Sequence, residues 1–180
     1  MSALADTVPR GQIPREHDRV VVMSGRISDQ KDPGFFASTA KEVWRRDPTV
    51  RFRWIGGEVD SNHTRRLRGA GVEITGWLAP LELADALAHA GVYLHSAIYE
   101  GFPISLLDAL WCRVPAVVRP IPALSDTGLP SAPTPRAAAD LVLAVLDDET
   151  QRANAVRAGE ELLAGMTTDS QRQAIARIYG

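Results

Sequence analysis

Residues 20–48 read VVVMSGRISDQKDPGFFASTAKEVWRRDP, and the order of residue types in them decides the fold. Val20-Val21-Val22-Met23 is a short, β-branched apolar run bounded by polar residues, which is how a buried strand reads. It passes through Ser24-Gly25-Arg26 into a polar loop. A helix is then expected to open at Asp32, a capping residue, with Pro33 at its first position, where a missing N–H costs nothing. Phe36, Ala40, Val43 and Trp44 fall on one face at helical spacing, and Asp47-Pro48 ends the segment because the residue before a proline is pushed out of the α region. Strand, loop and helix together make one βα unit.

The unit recurs along the chain. Strands are expected at Phe52 to Ile55, Val72 to Thr75, Val92 to Leu94 and Ala116 to Val118. Helices are expected at Ser61 to Arg68, Pro80 to His89 (Leu83 and Leu87 inward) and Ile104 to Trp111. From Thr134-Pro135 onward the pattern is helical in three pieces, roughly 135–147, 149–164 and 168–178, with Thr168 and Gln171 spaced as a capping box. Pro120 to Pro135, with five prolines, is the one loop-rich stretch. Strands alternating with helices predict an α/β domain with a doubly wound, Rossmann-like parallel sheet. In such sheets ligands sit beyond the carboxyl ends of the strands, so the loops at 24–32, 56–60, 76–79, 95–103 and 119–134 are where function is sought.

Composition narrows the classes. The 180 residues suit one domain, and 45% hydrophobic content allows a real core. A net charge of -2 gives no case for a polyanionic partner, and the 18 Arg and two Lys are scattered. The densest basic cluster, Arg65, Arg66 and Arg68, lacks interleaved aromatics and reads as a solvated helix face, so no nucleic acid is expected. Cys112 is the lone cysteine, which excludes internal disulfides and Cys-based metal sites, and its apolar neighbours suggest a buried thiol. His17, His63, His89 and His95 are dispersed, without metal-ligand spacing; His89 reads as a helix-terminal cap, and His95 lies at a strand end beside the ligand loops. Met1 to Arg19 is polar, with no apolar core of a signal peptide, and no stretch approaches the roughly 20 apolar residues that span a bilayer. This reads as a cytoplasmic protein, peripheral to the inner membrane only through a partner domain.

The loops carry the chemistry. Neither G-x-G-x-x-G after the first strand nor G-x-x-x-x-G-K-[ST] anywhere is present, so the two commonest nucleotide fingerprints of this fold are absent. Arg26 and Lys31, five apart on a polar turn at a helix N-terminus, are either a diphosphate seat or solvated surface cations. The most informative stretch is Tyr99-Glu100-Gly101-Phe102-Pro103-Ile104-Ser105-Leu106-Leu107-Asp108. Glu100 falls just past the fourth strand, and Asp108 eight residues later on the second turn of the next helix. Gly101 permits close backbone approach, and the first-turn N–H groups point into the same cleft. Acceptors and donors facing one pocket suit a polyhydroxyl ligand that carries phosphates. Taken singly, Glu100 also reads as a helix N-terminal acid and Asp108 as a tolerated surface residue.

In order and at the proper spacing, these landmarks resemble the nucleotide-sugar domain of GT-B fold glycosyltransferases, in particular the large retaining family 4. The resemblance covers about residues 20–178. Ser24-Gly25-Arg26-Ile27 with Lys31 is similar to the family's G-R-L…K diphosphate loop, and Trp54-Ile55-Gly56-Gly57 to its I-x-G-x-G strand end. Ile74-Thr75-Gly76-Trp77 is similar to its F-x-G-x turn near the base, and His95-Ser96 stands where the family often has Pro-Ser. Glu100 through Asp108 matches the E-x7-E motif, and Val114-Pro115-Ala116-Val117 the G-x-P-V-V strand.

The resemblance implies roles. Arg26 and Lys31 would bind the diphosphate and stabilise the charge that develops as it leaves, and Glu100 would hydrogen-bond the donor sugar; these are the candidate catalytic residues. Gly25, Gly56, Gly76, Trp77, Gly101, Phe102, Pro103, Ile104, Ser105 and Asp108 would line the donor site, with Asp108 on the ribose hydroxyls and Gly76-Trp77 near the base. It implies no metal and no organic cofactor, the nucleotide sugar, UDP- or GDP-linked, being the substrate. Four departures stand out: Asp108 for the usual Glu, Arg113 for Gly, Gly91 for Asp, and a 119–128 segment without the Gly-Gly…Glu run or a following sixth strand.

A whole enzyme of this type has two α/β domains and takes its acceptor in the first. The expectation here is the single C-terminal half, residues 20–180, preceded by an extension or former interdomain linker at 1–19. It would transfer a hexose with retention only when paired with an acceptor-binding N-terminal domain or separate subunit, and would be inactive alone. The alternative is a non-catalytic accessory subunit that keeps nucleotide-sugar affinity. Ala174, Ile175, Ile178 and Tyr179 on the last helix would lack a partner domain and offer a route to self-association.

Overall fold

Five parallel strands lie side by side in the order β3-β2-β1-β4-β5 in the computed structural model of the chain, which describes residues 4, 18–57, 61–101 and 103–166. The strands are β1 (Val20–Ser24), β2 (Arg51–Ile55), β3 (Glu73–Ile74), β4 (Val92–His95) and β5 (Ala116–Val118). The first strand is central: Val21 is in register with Phe52 of β2 on one side and Val92 of β4 on the other. All five residues of β1 and all four of β4 are buried, so both faces of the sheet are covered, as parallel sheets require.

The covering helices are α1 (Pro33–Trp44), α2 (Asn62–Gly69), α3 (Pro80–Ala88), α4 (Ile104–Trp111), α5 (Pro135–Asp147) and α6 (Glu149–Gly165). α1 packs against α2 and α5, and α4 against α3 and α6. Phe36 of α1 meets Phe52 and Trp54 of β2 edge-on, with ring centroids 5.4 Å apart in both pairs, and all three side chains are fully buried. Such burial is where most of the fold's free energy resides, at roughly 25 cal/mol per Å² of apolar surface.

The expected doubly wound architecture is what forms, with adjustments at element ends. The Asp32 carboxylate caps α1 by accepting the Phe35 N–H at 2.9 Å. That helix stops at Trp44, earlier than Asp47, where the indole N–H turns to the Val50 carbonyl at 2.7 Å. β3 shrinks to two residues because it is an edge strand pairing only with β2, while β4 runs on to His95. The absent sixth strand survives as a single parallel bridge between Val118 and Ser131. His89 is the C-cap of α3, and Cys112 is buried. No helix of the described residues is long and apolar enough to cross a membrane. The helix expected at 168–178, with its capping box and apolar patch, lies outside the described residues, as do Phe102 and all of 1–17 except Leu4.

One of the four sequence departures has a steric cause, and another runs against sterics. Arg113 adopts φ 60, the left-handed conformation for which glycine is the ordinary choice, so the arginine is strained where a glycine would not be. At Gly91 a Cβ would stand 2.5 Å from the Asp18 carbonyl oxygen and 2.6 Å from Leu146, so no side chain fits there.

Candidate active site

The order of strands reverses direction between β1 and β4, and a crevice opens there at the carboxyl edge of the sheet. Two loops close on it, one after β1 and one after β4. They are stitched together: the Ile98 N–H donates to the Gln30 carbonyl at 2.9 Å, and the Ser96 hydroxyl to the Lys31 carbonyl at 2.6 Å. Asp32, at φ 44 and ψ 70, turns the chain sharply into α1, and its second carboxylate oxygen accepts from Arg119 at 2.6 Å. Arg119, just past β5, also donates to the Ser96 carbonyl at 3.2 Å and lies over the Phe35 ring at 4.6 Å. Three loops are therefore tied at one point, and sequence reading had no signal for Arg119.

Within this frame Lys31 and Glu100 meet as an ion pair, with side chains only 14% and 7% exposed. Gln30 donates to the other Glu100 oxygen at 3.3 Å. Burial pushes the Glu100 carboxyl up, but His95 and Lys31 outweigh it and hold the group below its ordinary 4.5. His95 is fully buried with its Nε2 3.6 Å from the same Glu100 oxygen, and burial lowers it below its ordinary 6.5 despite the neighbouring carboxylate. Arg26 is exposed at the mouth of the β1 loop and, among the described residues, engages no acid.

The glycine turns form the adjoining wall. Gly25 donates its N–H to Ile55 at 2.8 Å, Gly56 donates to Gly76 at 2.7 Å, and the Trp54 indole donates to the Gly25 carbonyl at 2.9 Å. The ring of Trp77 lies 3.4 Å from where a Gly56 Cβ would be, and Trp77 is 67% exposed. Thus Gly25, Gly56, Gly76 and Trp77, far apart in sequence, share one edge of the crevice. A Cβ on Gly101 would meet nothing within 4 Å, so that face of the loop is open.

On α4 the reading needs refinement. Pro103 is the N-cap and Ile104 is about half exposed, but Ser105 is engaged: its hydroxyl accepts from Tyr93 at 3.1 Å, beneath the β1 end at Ser24. Asp108 is no surface residue. It is 5% exposed, and its carboxylate accepts the Leu4 N–H at 3.0 Å. Leu4 itself is buried in the core. Tyr93 and Leu4 are the partners that sequence reasoning missed, the first because a buried strand tyrosine looks like packing alone.

Cations, a carboxylate, helix N–H groups and an exposed indole on one crevice can bind a ligand with phosphates, hydroxyls and a flat ring. Among the described residues no group of His, Cys, Asp and Glu is arranged to hold a metal ion.

A family model described as glycosyl transferases group 1 matches residues 18–148. Among solved structures, a mutant of S. aureus TarM in complex with fondaparinux, alpha-GlcNAc-glycerol and UDP superposes with a TM-score of 0.79 at 18% identity, over 96% of this chain and 38% of that one. The pneumococcal O-GlcNAc transferase GtfA, solved with UDP and GlcNAc, gives 0.71 at 15%, over 91% and 36%. The C-terminal domain of a glycosyl transferase group 1 family protein, LpcC of Francisella tularensis, gives 0.69 at 15%, over 84% of this chain and 87% of that domain. The likeness to these structures is one of fold. This chain spans under two fifths of TarM and of GtfA.

Proposed function

The chain belongs to the glycosyl transferases group 1 family, and from that premise we propose that it is the donor-binding half of a retaining, family 4 GT-B hexosyltransferase. In this reading the substrate is a UDP- or GDP-linked sugar, and the reaction needs no metal or organic cofactor. The observation that carries it is the Lys31–Glu100 pair bridging the β1 and β4 loops, with Arg26 exposed beside it. Arg26 and Lys31 supply two positive charges to a diphosphate that carries two or more negative ones, and stabilise the charge on it as the sugar departs. Glu100 accepts hydroxyls of the sugar. The first-turn amides of α4 face the sugar and phosphate oxygens, and Trp77 lies along the base.

The acceptor comes from a second domain or subunit, which aligns it against the donor and excludes water. The 180 residues alone bind nucleoside diphosphate weakly and transfer no sugar. UDP is the first nucleotide to try, because TarM and GtfA were solved with it. We place the domain in the cytoplasm, where a partner domain could bring it to the inner membrane.

A second reading, an accessory subunit that binds nucleotide sugar without catalysis, is favoured by one observation. Asp108 is a methylene shorter than the usual Glu, and it already accepts the Leu4 N–H. Calorimetric titration of UDP, GDP and ADP against the chain tests nucleotide binding, and saturable binding of one of them is expected. No binding by any of the three sinks both readings. Transfer of sugar by the chain when mixed with its acceptor domain then separates enzyme from accessory subunit.

A further inference from the structure

His95 stands apart from the rest of the site in having nowhere to place its protons. It is fully buried at the end of β4, and neither ring nitrogen has a hydrogen-bond partner among the described residues. A buried imidazole without partners is costly, and such a group calls for an explanation, one being that it finds its partner in another state of the molecule. Its Nε2 lies 3.6 Å from Glu100 Oε1, the same oxygen that Lys31 holds. Two potential cations thus converge on one carboxylate atom, and only one of them is bonded to it.

The other groups around the ring leave this contest to Lys31 and Glu100. Tyr93, on the same strand, is neutral and engaged with Ser105, its ring 6.4 Å away. From β5, Arg119 donates its backbone N–H to the His95 carbonyl at 3.1 Å, but its guanidinium is committed to Asp32. Lys31, by contrast, has a second place to go. Its stem runs alongside Gly25, where a Cβ would be 3.5 Å from Lys31 Cε, so its ammonium sits at the loop read above as the diphosphate seat. If Lys31 turns to a diphosphate, Glu100 is left as a buried carboxylate without its cation, a state that strongly favours a replacement.

We infer that His95 is a positioning residue that takes over Glu100 from Lys31: as Lys31 turns to the diphosphate, His95 gains one proton from solvent and pairs with Glu100, coupling donor binding to proton uptake. The inference rests on the donor-site reading above. With Lys31 on Glu100, burial and the neighbouring ammonium keep the imidazole neutral. With Lys31 gone and a diphosphate close by, the ring is still buried but its neighbouring positive charge has given way to negative charge, and it protonates at a higher pH than before. Glu100 keeps its place and stays ionised, ready to accept sugar hydroxyls.

The coupling is read by calorimetric titration of UDP at pH 7.5 in HEPES and in Tris buffer, whose ionisation enthalpies differ and neither of which carries phosphate. The parent chain is expected to take up a fraction of a proton, at most one per UDP, beyond what His95→Gln takes up. The glutamine keeps an N–H donor for Glu100 but cannot be protonated. Between pH 8 and 7 the parent's UDP affinity should rise, by up to about tenfold, the limit for one proton, while that of His95→Gln stays nearly flat. Equal uptake in the two proteins overturns the inference. A second measurement needs no nucleotide. In Lys31→Met the His95 imidazole, followed by NMR, should titrate at higher pH than in the parent, and an unchanged titration overturns the inference. If UDP binds to neither protein, the donor-site reading falls, while the Lys31→Met titration still decides whether His95 answers to Lys31.

Discussion

Gly56 lies against Gly25 so closely that a Cβ on it would stand 2.8 Å from the Gly25 carbonyl oxygen. That oxygen is held in place by the Trp54 indole, and Gly56 itself has φ +106, so neither partner can yield cheaply. Gly76 has φ +75 but open space around a Cβ. Gly76→Ala should therefore cost only backbone strain, about 1–2 kcal/mol. Gly56→Ala adds a backbone clash and should cost about 2–4 kcal/mol in all. Denaturant unfolding of the two variants checks this, and equal losses would remove the close approach as a constraint.

Removing one member of the Lys31–Glu100 pair should hurt more than removing both charges. Lys31→Met leaves a largely buried carboxylate without its main cation, and a loss of about 1–3 kcal/mol is expected, the range for a buried group left unsatisfied. Adding Glu100→Gln to Lys31→Met should recover part of that loss. A coupling energy of about 0.5–3 kcal/mol in the double-mutant cycle is the expected result. Strictly additive losses would mean that the pair contributes nothing as a pair.

Much of the fold was legible because it rests on local signals. The β-branched run at 20–23, the Asp32-Pro33 helix start and the Ile104 to Trp111 helix are each set by residues a few positions apart, and they form where expected. The motif residues around the crevice were legible too, since a strand's carboxyl end is given by the strand itself. What was not legible depends on distant partners. The Leu4 N–H on Asp108 spans 104 positions and converts an apparent surface acid into a buried one. The Arg119–Asp32 contact spans 87, and the Lys31–Glu100 pair 69. No periodicity encodes such contacts. The short β3 and the lone bridge at Ser131 likewise reflect edge positions in the sheet, which a strand's own sequence does not specify.

Acid should weaken the folded state in two steps of the same sign. His95 binds its proton less readily when folded than the ordinary 6.5, because burial disfavours the cation. The unfolded chain therefore gains the proton first, and stability falls as pH drops below about 6.5. Glu100 is also held below its ordinary 4.5, so its contribution is present above that value and lost as pH falls further. His95→Gln should abolish the upper step and leave the lower one. Stability followed between pH 8 and 3 in both proteins checks this, and an upper step that persists in His95→Gln would assign it to another group.

Asp32 combines an unfavourable backbone with two favourable bonds, so its substitutions should rank in a telling order. Its φ of 44 favours glycine or asparagine, while its carboxylate caps α1 and receives Arg119. Asp32→Asn keeps the cap and tolerates the backbone, and should be the mildest. Asp32→Gly relieves the backbone but loses both bonds. Asp32→Ala loses both and keeps the strain, and should be worst, by about 1 kcal/mol over glycine. Melting temperatures of the three decide the ranking, and alanine milder than glycine would show that the left-handed turn carries no strain.

The division of labour between Arg26 and Glu100 is the prediction on which the proposed function turns. Arg26 is exposed and, among the described residues, pairs with no acid, so its guanidinium is free of such a bond to break when it meets a diphosphate. Arg26→Ala should weaken UDP binding by about 1.5–3 kcal/mol, the range for hydrogen bonds to charged groups, without changing the melting temperature. Glu100 is different, because it holds Lys31 in the unliganded site. Glu100→Ala releases that lysine and removes a negative charge from beside the phosphates, so it should spare UDP or tighten it, while weakening the UDP-sugar relative to UDP. Fluorescence gives a convenient readout: Trp77 is far more exposed than Trp54 and lies at the expected base position. UDP should quench its emission in the parent and not in Trp77→Phe. If Arg26→Ala and Glu100→Ala weaken UDP equally, the carboxylate belongs to the phosphate site and not to the sugar, and the roles assigned here are wrong.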